Sequence, residues 1–133
     1  MIAKKPKFYQ VQKAVYSALS SGLTGIPVLD YVPENQGFPY ISIGEDEFDS
    51  DGTKLEHSDI ASVEVNIWSQ ARGFSEVKSI LENTVSLLST VDLKGDDCDI
   101  FFLSVRQMET GRMTDGITRY GTVVINFRVS QND

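Results

Sequence analysis

The side chains with chemical potential cluster in one acidic stretch and a few isolated positions. The only histidine is His57, in Glu56-His57-Ser58-Asp59. Any Ser-His-Asp or Cys-His machinery would have to use it. Its acidic surroundings read as a surface loop, where a solvated histidine is the ordinary outcome. Oxygen donors for a hard cation abound in Glu45, Asp46, Glu47, Asp49, Asp51 and Glu56. From Glu47 onward the run partly matches a calcium loop, with Asp49, Asp51 and Gly52 in register. It breaks at the first position, Glu47, and at the last, Ser58, and no helices flank it. With no CxxC and no histidine pair, zinc is disfavoured. Ser75-Glu76-Val77-Lys78 spells S-x-x-K, yet its partner motifs are missing, and Ser75 is better placed as a helix cap. Cys98 is the one cysteine, so no intrachain disulfide forms. Acids on both sides of it disfavour a thiolate, and it reads as inert. No Walker A, G-x-S-x-G or G-x-G-x-x-G string occurs. The expectation is no catalytic residue, no cofactor and no metal. The rival from another class is a small hydrolase or calcium-binding module using the acidic loop 45–59.

Elements to position any of these groups follow from periodicity. Residues 7–21 repeat Phe8, Val11, Ala14, Val15, Ala18 and Leu19 at helical spacing, with Pro6 before and Gly22 after. A second helix is expected over 75–89, capped by Ser75, with the stripe Val77, Ile80, Leu81, Val85 and Leu88. Residues 28–32 read as a short extended piece, and Tyr40 starts a strand. The polar stretch 45–59 reads as a long hairpin tip or mobile loop. Residues 60–69 alternate Ala61, Val63, Val65 and Ile67 against polar partners, the pattern of a half-buried strand. Residues 99–109 and 119–129 read as a final hairpin with a turn-rich tip, 110–116. The fold class expected is α+β: a two-layer sandwich with an antiparallel or mixed sheet of four to five strands and both helices on one face.

The chain has 133 residues and a formal net charge of −7, enough length for a single domain, 1–133. That charge opposes general nucleic-acid binding and docking on anionic lipid. The basic N-terminus lacks a following apolar segment, and no run suits a bilayer span, so residence in the cytosol where it is made and no membrane partner are expected.

The order of Val28-Leu29-Asp30-Tyr31-Val32-Pro33, then Phe38-Pro39-Tyr40-Ile41-Ser42-Ile43-Gly44-Glu45, resembles the tail-completion, or tail-to-head joining, family of long-tailed phages. So do Val65-Asn66-Ile67-Trp68-Ser69 with Gly73 and its following helix, and the glycine-bearing tip Asp115-Gly116 before an apolar last strand. The resemblance implies a structural virion protein without catalytic residues. It implies self-assembly into a ring, hexameric in the family, at the neck–tail joint. Tail-tube and head-neck proteins are the implied partners, DNA only passes through the lumen, and the finished location is the virion. Within phage structure the alternatives are a tail terminator or a head-neck adaptor.

Contact residues are expected on two arms, 45–56 and 110–119, and on exposed aromatics. Asp49, Asp51, Arg112 and Met113 belong to the arms. Trp68 falls on the wet face of its strand by alternation, and Tyr120 sits similarly.

Overall fold

The computed structural model describes residues 8–50 and 58–131. In chain order the elements are α1 (Phe8–Gly22), β1 (Val28–Leu29), β2 (Tyr40–Ser50), β3 (Ser58–Ser69), α2 (Ser75–Thr90), β4 (Leu93–Lys94), β5 (Cys98–Arg112) and β6 (Arg119–Gln131). The strands form one six-stranded sheet in the order β1-β2-β3-β6-β5-β4. β1 pairs parallel to β2, and every other pairing is antiparallel. The architecture is therefore α+β with a mixed sheet, and six strands replace the four to five expected.

Alternation sorts the central strands into two faces. Ala61, Val63, Val65 and Ile67 of β3 are buried beside Val123, Ile125, Phe127 and Val129 of β6. They join Val11, Val15 and Leu19 of α1 and Val77, Ile80, Leu81 and Leu88 of α2 in one core. Each fully buried aliphatic or Phe side chain contributes roughly 1.5–3 kcal/mol of transfer free energy. Both helices thus cover the same face, as the stripes predicted. At Gly121 a Cβ would come within 3.1 Å of Val77, which is how closely α2 rides on β6.

The remaining corrections have physical causes. The strand pair β2–β3 runs further than the sequence suggests: β2 reaches Ser50, and Asp46–Ser50 pair in register with Val63–Asp59. The run of acidic residues hides the strand from a reading of side-chain types. Residues 51–57, including Asp51 and His57, lie outside the described residues. Between Ile43 and Asp46 the register shifts through a bulge. Gly44 permits it, because a Cβ there would lie 2.5 Å from the Glu64 carboxylate. The extended piece expected over 28–32 shortens to the two residues of β1, and β4 has no signature in the sequence. β5 continues to Arg112, so the final tip is shorter than the 110–116 expected.

Ser75 is not the cap of α2. Phe74 holds that position without a side-chain cap bond, and Ser75 is the first helical residue. Ser69 braces the turn before the helix: its hydroxyl accepts from the Ala71 N–H at 3.1 Å and donates to the Glu76 carboxylate at 2.6 Å. Gly73 takes φ 74°, the left-handed turn residue that lets the chain enter the helix. At the other end of the sheet, the Gln10 side-chain carbonyl accepts from the Asp96 N–H at 2.7 Å, tying α1 to the β4–β5 turn. Cys98 is buried at that junction, 3.4 Å from the same oxygen.

Candidate functional site

The sheet face opposite the helices carries the exposed polar and aromatic side chains. Tyr40, Trp68 and Tyr120 are successive cross-strand partners on β2, β3 and β6. Their rings form a row: Phe38 to Tyr40 at 5.2 Å between centroids, Tyr40 to Trp68 at 6.3 Å and Trp68 to Tyr120 at 6.3 Å. The row ends over β5, where a Cβ on Gly111 would strike the Tyr120 ring. Trp68 donates its Nε1–H to Ser42 Oγ at 2.9 Å. Burial raises the Tyr40 hydroxyl above its ordinary pKa. Trp68 and Tyr120 are half-buried by one another and by Tyr40, in place of a covering layer. Beyond the row, cross-strand hydrogen bonds link Thr122 to Asn66 at 2.6 Å and Ser62 to Asn126 at 2.6 Å. Glu64 accepts from the Asn66 amide at 3.0 Å. The face is a braced platform, since each polar group named is paired.

The β5–β6 hairpin projects from the same end. Its tip is built around Asp115. That carboxylate accepts from the Thr118 hydroxyl at 2.7 Å and from the Thr118 and Ile117 N–H groups at 2.8 Å each. These bonds, the Thr118 hydroxyl first, hold the Asp115 carboxyl below the usual carboxylate range. Gln70 donates to Thr118 Oγ1 at 3.0 Å, and Arg119 donates to the Ala71 carbonyl at 3.2 Å. The Arg119 guanidinium also lies over the Phe74 ring at 5.6 Å. The tip is thus bolted to the β3–α2 turn, while Ile117 remains 57% exposed at its end.

A depressed folded pKa means Asp115 supports the tip above the ordinary aspartate pKa of about 3.9 and releases it as pH falls through the lower folded value. The amide proton shifts of Ile117 and Thr118 should titrate in that acidic window. In Asp115→Asn they should stay flat; unchanged titration would show that another group holds the tip.

The six contact candidates divide. Trp68 and Tyr120 meet in the aromatic row. Arg112 pairs with Arg119 one position beyond Gly111–Tyr120, and Met113 follows, 39% exposed, so this pair adjoins the row. Asp49 sits at the opposite end of β3, paired with Ile60, away from the other four. Asp51 is outside the described residues. Sequence reading missed Phe38 and Tyr40 as members of the row, although their aromatic types flank the strand start. It also missed the exposure of Phe101, Leu103, Val105 and Met108 on β5, between 37% and 46% each. Register shifts between Phe102 and Ser104 and between Val105 and Gln107 scramble the alternation that would have flagged them.

Among the described residues no group of three or more His, Cys, Asp or Glu is placed to hold a metal. None of their helices is long and apolar enough to cross a membrane. A groove of about 510 Å³ lies between α1 and the segment joining α2 to β4, lined by Lys13, Ser17, Ser21, Val91 and Asp92 among others. Its charged groups are at the rim, with Lys94 and Asp92 3.7 Å apart and largely exposed.

No curated protein matches the chain. Solved structures share the fold, two of them as follows. One is a chain in the virion of a native gene transfer agent particle, 23% identical, with a TM-score of 0.74, covering 91% of this chain and 95% of that one. The other is the gp17 protein of bacteriophage SPP1, 21% identical, with a TM-score of 0.57, covering 97% of this chain and 94% of that one. A family model described as tail completion protein gp17 matches residues 9–130, from the first turn of α1 to the end of β6. The chain belongs to this tail completion family, a family of phage structural proteins at the tail–head joint and not one of enzymes.

Proposed function

We propose that the chain acts as one domain that assembles into a ring, a hexamer, at the joint between tail and head. There it completes the tail and offers the filled head its attachment surface. The single observation that carries this reading is the family match across residues 9–130. The physical features agree with it. A ring needs two unlike surfaces on each copy, related by a rotation that closes. The aromatic row with the adjoining Arg112–Met113 corner, and the distant Asp49 end of the sheet, are two such surfaces. Trp, Tyr, Met and Arg are the residue types enriched where proteins meet. The net charge of −7 lets a lumen pass DNA without holding its phosphates. In this reading the protein works by contact alone, without catalysis, cofactor or membrane. It folds in the host cytoplasm and ends in the virion, beside tail-tube and neck proteins.

The test is removal of the gene from the phage or prophage that carries it, with the wild-type gene supplied in trans. Electron microscopy should show filled heads and free tails that fail to join, and joining should return on complementation. Normal virions in the absence of the gene would refute the assignment.

A further inference from the structure

We infer that residues 1–7, which precede α1, fold back along that helix and lie in the groove between α1 and the segment joining α2 to β4. The inference does not depend on the ring. Residues 1–7 lie outside the described residues; their sequence is Met1-Ile2-Ala3-Lys4-Lys5-Pro6-Lys7. The groove begins where this segment leaves the fold. Gln10, in the first turn of α1, lines it, and its side-chain carbonyl accepts from the Asp96 N–H at 2.7 Å. At the other end Gly22 meets Leu87, whose side chain a Cβ on Gly22 would strike. Between those contacts Ala14 and Ala18 of α1 and Leu93 of β4 form an apolar wall, and Val91 stays 36% exposed. From Gln10 to Gly22 the helix rises about 18 Å, at roughly 1.5 Å per residue. Seven extended residues reach at most about 25 Å. The chain before Phe8 is therefore long enough to run the length of the groove. Pro6 favours that course, because the residue before a proline is pushed out of the helical region and α1 is not continued through Lys5.

Charge and polarity agree in order along the groove. Read backwards from Phe8, the segment offers Lys7, then Lys5 and Lys4, then the apolar Ile2 and Met1. The groove offers Asp96 at the Gln10 end, then Asp92, then Val91 and Leu87 toward Gly22. Asp97 adjoins the Gln10 end and accepts from the Gln10 amide at 3.1 Å. The groove's own bases do not cancel these acids. Lys94 lies 3.7 Å from Asp92 in a largely exposed pair, which leaves Lys13 against Asp96 and Asp97. The segment brings three lysines and no acid to a wall that is net negative. Its apolar end falls where the wall is apolar, so burial and charge select the same register. A tethered segment competes at an effective concentration of about millimolar, so the occupant is the chain's own start and not that of another copy.

Cross-linking and charge reversal test this in the full chain. At micromolar concentration a zero-length carbodiimide should join Lys4, Lys5 or Lys7 to Asp92 or Asp96, read by peptide mass spectrometry. In an equal mixture of unlabelled and heavy-nitrogen protein, each cross-linked pair of peptides should carry a single isotope. A variant with Lys4→Glu, Lys5→Glu and Lys7→Glu should uncover the groove, and the amides of 91–94 should then exchange at least about fivefold faster than in wild type. Adding Asp92→Lys and Asp96→Lys to that variant should return the exchange toward the wild-type rate. No cross-link between these two segments overturns the inference. So does a cross-link of mixed isotope, which would seat the segment on another copy. Exchange at 91–94 that is unchanged by the lysine reversals, or that stays fast after the aspartate reversals are added, overturns it as well. Should a variant fail to fold, the cross-links in wild-type protein decide by themselves.

Discussion

Phe127→Ala is expected to lower the unfolding free energy by about 3–5 kcal/mol, the cost typical of deleting a buried ring. Phe127 is fully buried in β6 at the centre of the sheet. It faces Ala61 across β3 and Phe102 across β5, and its ring meets Phe102 edge-on at 6.3 Å and 82°. The small Ala61 opposite it cannot fill the void. Because domains of this size are stable by only about 5–15 kcal/mol, the loss is a large share of the whole. Urea denaturation should show a lower midpoint with little change in slope. Phe127→Leu, which keeps most of the volume, should cost much less. A midpoint unchanged in Phe127→Ala would mean that the buried sheet face and the helices do not share the single core described.

Trp68→Ala carries the second large effect, and it separates packing from contact. Two ring neighbours, Tyr40 and Tyr120, and one hydrogen bond to Ser42 depend on the indole. At roughly 0.5–1.5 kcal/mol for each aromatic pair and about 1 kcal/mol for the hydrogen bond, alanine should cost about 2–4 kcal/mol. Trp68→Phe keeps a ring in the row and should cost about 1 kcal/mol through the lost hydrogen bond. If Trp68 is a contact residue of the joint, both variants should reduce tail joining, measured by complementation of the gene deletion. The alanine variant should do so by about thirtyfold, the scale of an interface hot spot. Joining that is intact in the phenylalanine variant, and reduced in the alanine variant only as far as its lower stability explains, would assign the indole to bracing the sheet alone.

Much of the fold is legible in the residues themselves. The stripe Val11, Val15 and Leu19 announces α1, and Val77, Ile80, Leu81 and Leu88 announce α2. The strict alternation in β3 and β6 announces two strands, each with one buried face. These signals survive because burial is periodic and side chains record it directly. The strand identity of 46–50 is not legible, because an acidic edge strand is held by backbone bonds that leave no mark on side-chain type. The two-residue strands β1 and β4 are too short to show a period. The helix start at Ser75 reads correctly but its capping role does not: Phe74 holds the cap position, and Ser69, brought back by the turn at Gly73, is the residue that bonds to Glu76.

The contact residues divide the same way. Alternation alone puts Trp68 and Tyr120 on the wet face, and composition alone marks the acidic and turn-rich arms. That Trp68 stacks between Tyr40 and Tyr120, and that Arg112 and Met113 adjoin the row while Asp49 lies at the far end, are decided by strand order. β6 inserts between β3 and β5, a long-range pairing of segments far apart in the chain. Local residue patterns set which face of each strand is apolar, since that depends on each residue's own transfer free energy. Which strands become neighbours, and which edges stay open, depends on how all the segments pack together, and only the tertiary structure decides it.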